Sequence, residues 1–140
     1  MQKSLFLLVM VVLVAACGSP KKEKEKHAEV KTAINEDHPG KLSYKKHCMA
    51  CHQRDAGGVP GMYPPLADNK VVSGKKEPLI SVMLDGLSGE IEVDGETYNG
   101  IMASYKNLSD KEISDILNYL RSNFDNSGQK ISESDIKTLR

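Results

Sequence analysis

The sequence predicts a small all-α domain that carries one short β-hairpin, and three stretches support this. In "LSDKEISDILNYLRSNF" (108–124), Ile113, Ile116, Leu117 and Leu120 recur at helical spacing and define one buried face. Ser109 with Glu112 forms a capping box there, and Asp110 suits the positive end of the helix dipole. A first helix is expected over Gly40 to Ala50, with Leu42 and Tyr44 among its packing residues. In "EIEVDGETYNG" (90–100), apolar and polar residues alternate about Asp94-Gly95, a strong signal for a two-residue hairpin.

Other elements follow from local signals. Pro78 at a first-turn position starts a further helix, which Gly86 ends. Asn126 to Gly128 reads as a break, so the main domain is expected over residues 40–126. Residues 127–140 then form an extension in which Ser132 caps a short helix containing Ile136 and Leu139. That helix is expected to pack loosely.

The length of 140 residues bounds the chain to one ordinary domain with appendages. Charge is balanced at 19 basic and 19 acidic residues, which removes any electrostatic reason to expect a nucleic-acid partner. With five Tyr, two Phe and no Trp, the foldable part has little apolar material of its own. Domains this small often lean on a metal, a crosslink or a cofactor.

Residues 1–16 read as an export signal. Lys3 supplies the positive end, and Leu5 to Val14 is an unbroken apolar run. Such a run is too short for a spanning helix, which needs roughly 20 residues, but suits a signal-peptide core. The following Ala15-Ala16-Cys17 resembles a bacterial lipoprotein signal, implying cleavage before Cys17 and a lipid on its sulfur. A secreted protein with a free Cys17 is the competing reading, and a retained short anchor a further one. Residues 17–39 mix Lys and Glu with few large apolar side chains and are expected to be a solvated tether. His27 and His38 are expected at its surface. The protein is therefore expected outside the cytoplasm, lipid-anchored on the periplasmic side of a bacterial membrane or at the cell surface.

The chemistry concentrates in "KHCMACHQRD" (46–55). A thioredoxin-like redox pair would place its C-x-x-C after a strand, and no strand precedes this one. A zinc ion needs four ligands, and the chain beyond His52 has neither Cys nor His. The remaining reading is C-x-x-C-H as a covalent haem attachment signature. Cys48 and Cys51, one helical turn apart, can reach the two vinyl groups on one porphyrin edge, and His52 can then bind the iron. A chance match or a bare dithiol is the alternative.

A sixth ligand can be sought among the methionines. Met1 and Met10 leave with the signal, and Met49 lies inside the attachment turn. Met62 is close behind His52 in a Pro/Gly-rich loop, and Met83 in "PLISVML" reads as core. Met102, in "TYNGIMASY", lies far enough downstream for the chain to wrap the porphyrin and return, and Gly100 permits a close backbone approach to the ring.

From about Gly40 to Asn126 the sequence resembles the class I c-type cytochromes, small helical domains built around one haem. The resemblance implies one covalently attached haem c, with His52 and Met102 as axial ligands. In that family the ligand loop often reads G-x-M-P; here it is Gly100-Ile101-Met102-Ala103, without the proline. In "GMYPPLAD" a proline carbonyl, assigned by the Pro-x-Leu spacing to Pro64 with Pro65 as the alternative, would orient the His52 ring. A plain turn is the simpler reading of that stretch. Tyr98 and Asn99 could bond a propionate or the methionine sulfur, or form an exposed turn. Gly40, Tyr44 and Tyr119 match positions where first and last helices cross in the family. The hairpin is an addition that could shield a haem edge, shape a docking surface or merely stiffen a loop.

The function this resemblance implies is single-electron transfer between redox partner proteins, by a carrier tethered to the membrane. Alternatives are an electron-entry subunit of a larger oxidase, reductase or dehydrogenase, and a gas sensor if Met102 is labile. No general acid or base and no small-molecule substrate are identifiable, so the chain is expected not to be an enzyme.

Overall fold

The computed structural model describes residue 35 and residues 37–140. The expected signal peptide, Cys17, His27 and most of the tether lie outside the described residues. In order, the elements are α1 (Gly40–His47), α2 (Met49–His52), α3 (Lys70–Ser73), α4 (Lys76–Asp85), β1 (Ile91–Val93), β2 (Glu96–Tyr98), α5 (Asp110–Arg121) and α6 (Glu133–Leu139). Among the described residues no helix is long and apolar enough to cross a membrane.

The first helix is jointed at Cys48, whose N–H still donates to Tyr44 O at 2.8 Å. Its inward residues are Gly40, Tyr44 and Cys48, spaced four apart and therefore on one face. Leu42, expected to pack, is 76% exposed. It sits two residues from both Gly40 and Tyr44, about 200° around the helix, on the solvent side.

The helices α1 and α5 cross at Gly40. A Cβ there would lie 1.9 Å from Asp115 O and 2.8 Å from Tyr119 Cβ. The crossing is filled by rings: Tyr44 and Phe124 each lie 5.5 Å from Tyr119 between centroids, in tilted and edge-on arrangements that favour aromatic pairs. Gly40→Ala is therefore expected to part the two helices, because backbone cannot yield as a side chain end can. The expected loss is about 1–3 kcal/mol, a fall in Tm of roughly 5–15 °C for a domain of this size. A thermal melt that leaves Tm unchanged would contradict the crossing.

Helix α4 begins two residues before Pro78 and ends at Gly86, which adopts φ 77°. Leu79, Ile80, Met83 and Leu84 are its buried face. The hairpin pairs Ile91 with Tyr98 and Val93 with Glu96. Asp94 (φ 51°) and Gly95 (φ 83°) both take the left-handed conformation that a two-residue turn of matching twist requires. Helix α5 carries the expected capping box, and Ile113, Ile116 and Leu117 are fully buried.

The C-terminal segment departs from expectation. It is part of the core and not loosely packed: Ile131 and Ile136 are fully buried. Ser132 and Asp135 form a second capping box, and Lys76 reaches Asp135 at 2.9 Å. Asn118 brackets Ile131, accepting from its N–H at 2.9 Å and donating to its carbonyl at 2.8 Å. Buried Arg121 donates to the carbonyls of Val72, Gly74 and Gln129, tying α5 to the chain on either side. Polar side chains reaching across some ten to fifty residues escape any reading of local periodicity.

Candidate functional site

The C-x-x-C-H stretch forms a single tight turn. The N–H groups of Cys51 and His52 donate to Cys48 O at 3.1 and 2.9 Å. Gln53 ends it in a left-handed conformation (φ 64°), and its carbonyl accepts from Tyr44 OH at 2.7 Å. This fixes the turn to the aromatic crossing of α1 and α5.

The loop that follows doubles back on His52. Gly58 N–H donates to His52 O at 3.1 Å, and Val59 N–H to Tyr63 O at 2.7 Å. Gly58 takes φ 70°, and a Cβ on it would lie 2.3 Å from Tyr63 O, so only glycine lets the strands of this loop touch. The loop delivers the Pro64 carbonyl to His52 Nδ1 at 2.9 Å. Pro65 does not share that role, since its carbonyl accepts from Asn69 Nδ2 at 2.8 Å.

That one hydrogen bond determines the tautomer. A carbonyl only accepts, so Nδ1 carries the proton and Nε2 keeps its lone pair. Burial lowers the His52 pKa, outweighing the opposing effect of the Pro64 bond, so the ring is neutral near pH 7. A buried neutral imidazole with a free, oriented Nε2 is a metal ligand in waiting.

Cys48 is 6% exposed, and its thiol is pushed up to about 12, by burial first and by Cys51 second. Redox-active dithiols have lowered, not raised, thiol pKa values, which argues against dithiol chemistry. Among the described residues no three His, Cys, Asp or Glu side chains converge to hold a metal ion, so the pair also lacks partners for zinc.

Met102 is brought to the same cleft by a backbone bridge to Leu87. Leu87 N–H donates to Met102 O at 2.9 Å and Met102 N–H to Leu87 O at 2.8 Å. Gly86 permits the approach, since a Cβ there would lie 2.4 Å from Met102 O. Further on, Tyr105 N–H donates to Met83 O and Ser104 OH to Leu84 O. The Met102 loop is thus held by hydrogen bonds to the end of α4, so Ala103 in place of a proline costs it little rigidity.

These groups share one open cleft, lined by Cys48, Cys51, His52, Pro64, Tyr98 and Met102 among others. No Asp, Glu, Lys or Arg lines it. Two thiols, a neutral imidazole and a thioether in an uncharged cavity are the donor set a covalently held haem requires.

The remaining candidates fall as follows. Met83 is buried core, and Met62 lines the cleft although half of it is exposed. Tyr98 is buried in the cleft wall, its OH donating to Glu96 Oε2 at 3.0 Å. Asn99 follows β2, is exposed and lies outside the cleft lining. Cys17 lies outside the described residues. Sequence reasoning missed Tyr105 and His47. Both line the cleft, their rings 6.0 Å apart, and Tyr105 OH donates to His47 O at 2.7 Å. His47 Nε2 is a buried side-chain polar atom without a hydrogen-bond partner. Position beside Cys48 and one turn beyond Met102 was the available signal.

A family model described as Cytochrome c matches residues 38–124, more than half of the chain. The chain belongs to the cytochrome c family. Cytochrome c-552 of Thermus thermophilus is 46% identical over 77 residues, covering 52% of this chain and 59% of the relative. A second cytochrome c-552, also from Thermus thermophilus, is equally identical over 52% of its own length, so the chain spans about half the length of these relatives. The cytochrome c subunit of alcohol dehydrogenase (quinone) from Gluconacetobacter polyoxogenes is 34% identical over 106 residues, 73% of this chain but 22% of that protein. Membership of the cytochrome c family implies one covalently attached haem c.

Proposed function

We propose that this cytochrome c is a membrane-tethered monohaem carrier that passes single electrons between periplasmic or cell-surface redox proteins. Cys48 and Cys51 would hold the haem by thioethers, and His52 and Met102 would ligate its iron. The observation that carries this reading is the convergence of all four side chains on one uncharged cleft. When bound, the haem supplies a one-electron ferric–ferrous couple.

The chain's own residues tune that couple. The Pro64 carbonyl accepts a hydrogen bond from His52 Nδ1–H at 2.9 Å, which orients the ring and strengthens Nε2 as a metal ligand. Met102 contributes a thioether, which raises the potential relative to nitrogen donors. The uncharged lining disfavours the extra positive charge of the ferric state.

Tethering rests on Ala15-Ala16-Cys17 and the charged segment after it. In the native host the red protein is expected in the membrane fraction, and Cys17→Ala is expected to move it to the soluble fraction with an unchanged spectrum. A Cys17→Ala protein that stays membrane-bound would contradict the anchor.

A second reading is favoured by the match to dehydrogenase cytochrome subunits over 73% of this chain: an electron-entry subunit of a larger redox enzyme. Co-purification of a stoichiometric dehydrogenase or oxidase from detergent extracts would favour it over the mobile carrier.

A further inference from the structure

The hairpin is joined at two points to the loop that ends in Pro64. Glu96 Oε1 accepts from Gly61 N–H at 3.2 Å across 35 positions of sequence, while its Oε2 holds Tyr98 OH at 3.0 Å. Beyond β2, the backbone of Gly100 lies against the carbonyl of Met62. A Cβ on Gly100 would stand 2.2 Å from Met62 O and 3.1 Å from Tyr63 Cδ1. Met62, Tyr63, Gly100 and Ile101 all line the cleft.

The two joined segments have separate duties. One carries Pro64, which orients His52; the other runs through Gly100 directly into Met102. On its far side the Met102 segment is held by Leu87. We propose that the β1–β2 hairpin is a clasp: Glu96 and the Gly100–Met62 contact lock the Met102 segment to the Pro64 loop, keeping the sixth iron position closed. This rests on the haem ligation proposed above. With the clasp parted, the Met102 segment can swing on its Leu87 bridge, and an external ligand gains access. Glu96 and Gly100 are thus positioning residues.

Gly100 offers a clean test. It is not in the left-handed region, so alanine suits its backbone and acts through collision with Met62 and Tyr63 of the Pro64 loop. Variants of the full-length haem-loaded protein are compared by carbon monoxide binding to the ferrous form and by the methionine-to-ferric-iron charge-transfer band. Gly100→Ala is expected to bind carbon monoxide about ten-fold faster than wild type, with a weakened band. Glu96→Ala is expected to give roughly a two- to five-fold rise. Glu96→Gln, which keeps an acceptor for Gly61 N–H, should stay near wild type.

A Gly100→Ala protein with wild-type far-ultraviolet dichroism, band and carbon monoxide rate would overturn the clasp. If that variant does not fold, the Glu96 pair decides: indistinguishable Ala, Gln and wild-type rates overturn it equally. A wild type lacking the band would instead remove the Met102 ligation itself, and the clasp with it.

Discussion

Met102→Ala is expected to abolish the charge-transfer band of the ferric protein, open the ferrous iron to carbon monoxide, and lower the reduction potential. The fall should be on the order of 100 mV or more, because a soft thioether favours ferrous iron and its loss leaves water or nothing in its place. No other methionine is a ready substitute. Met83 is buried in the core away from the cleft lining, and Met49 belongs to the attachment turn itself. Met62 does line the cleft, but on the Pro64 loop beside His52's own support. Met62→Ala is therefore the control and should retain the band. The reverse pattern, with the band lost in Met62→Ala and kept in Met102→Ala, would exchange the two assignments. Replacing the half-buried Met102 also leaves a cavity, so part of any loss in Tm is packing and not ligation.

Replacing both attachment cysteines should have the larger structural effect. In Cys48→Ser with Cys51→Ser, the haem is no longer retained through denaturation, and a denaturing gel should show no haem-linked peroxidase stain. The consequence for folding is expected to be severe. An uncharged cleft separates the turn bearing His52 from the segment bearing Met102, and in a domain this small there is little other apolar mass to hold them. Ligand binding to the folded state alone stabilises it by mass action, and covalent attachment makes that permanent. The double variant is therefore expected to melt at least about 10 °C lower, or to be degraded in the cell. A double variant with covalent stain and wild-type Tm would refute the thioether assignment.

Local signals made much of this legible. The capping box at Ser109, the left-handed pair Asp94-Gly95 and the apolar ladder of α5 each follow from rules spanning four to eight residues. The turn over 48–52 was equally plain, because Cys48, Cys51 and His52 lie within one helical turn. Contacts between distant segments were not legible. Leu42 looked like a packing residue because it is apolar; only the crossing at Gly40 determines which side of α1 faces inward. The C-terminal segment looked detachable because its link to α5 runs through Asn118 and Arg121, polar side chains on a helix read for its apolar face. The choice between Pro64 and Pro65 needed geometry, since Asn69 claims one carbonyl and His52 the other.

The most direct test is the mass of the tryptic fragment from His47 to Arg54, released by cleavage after Lys46 and after Arg54. Adding each thiol across a vinyl group loses no atoms, so the fragment should weigh the peptide plus one entire haem, and no thiol should react with an alkylating reagent. A fragment of bare peptide mass with two alkylatable thiols would contradict the account.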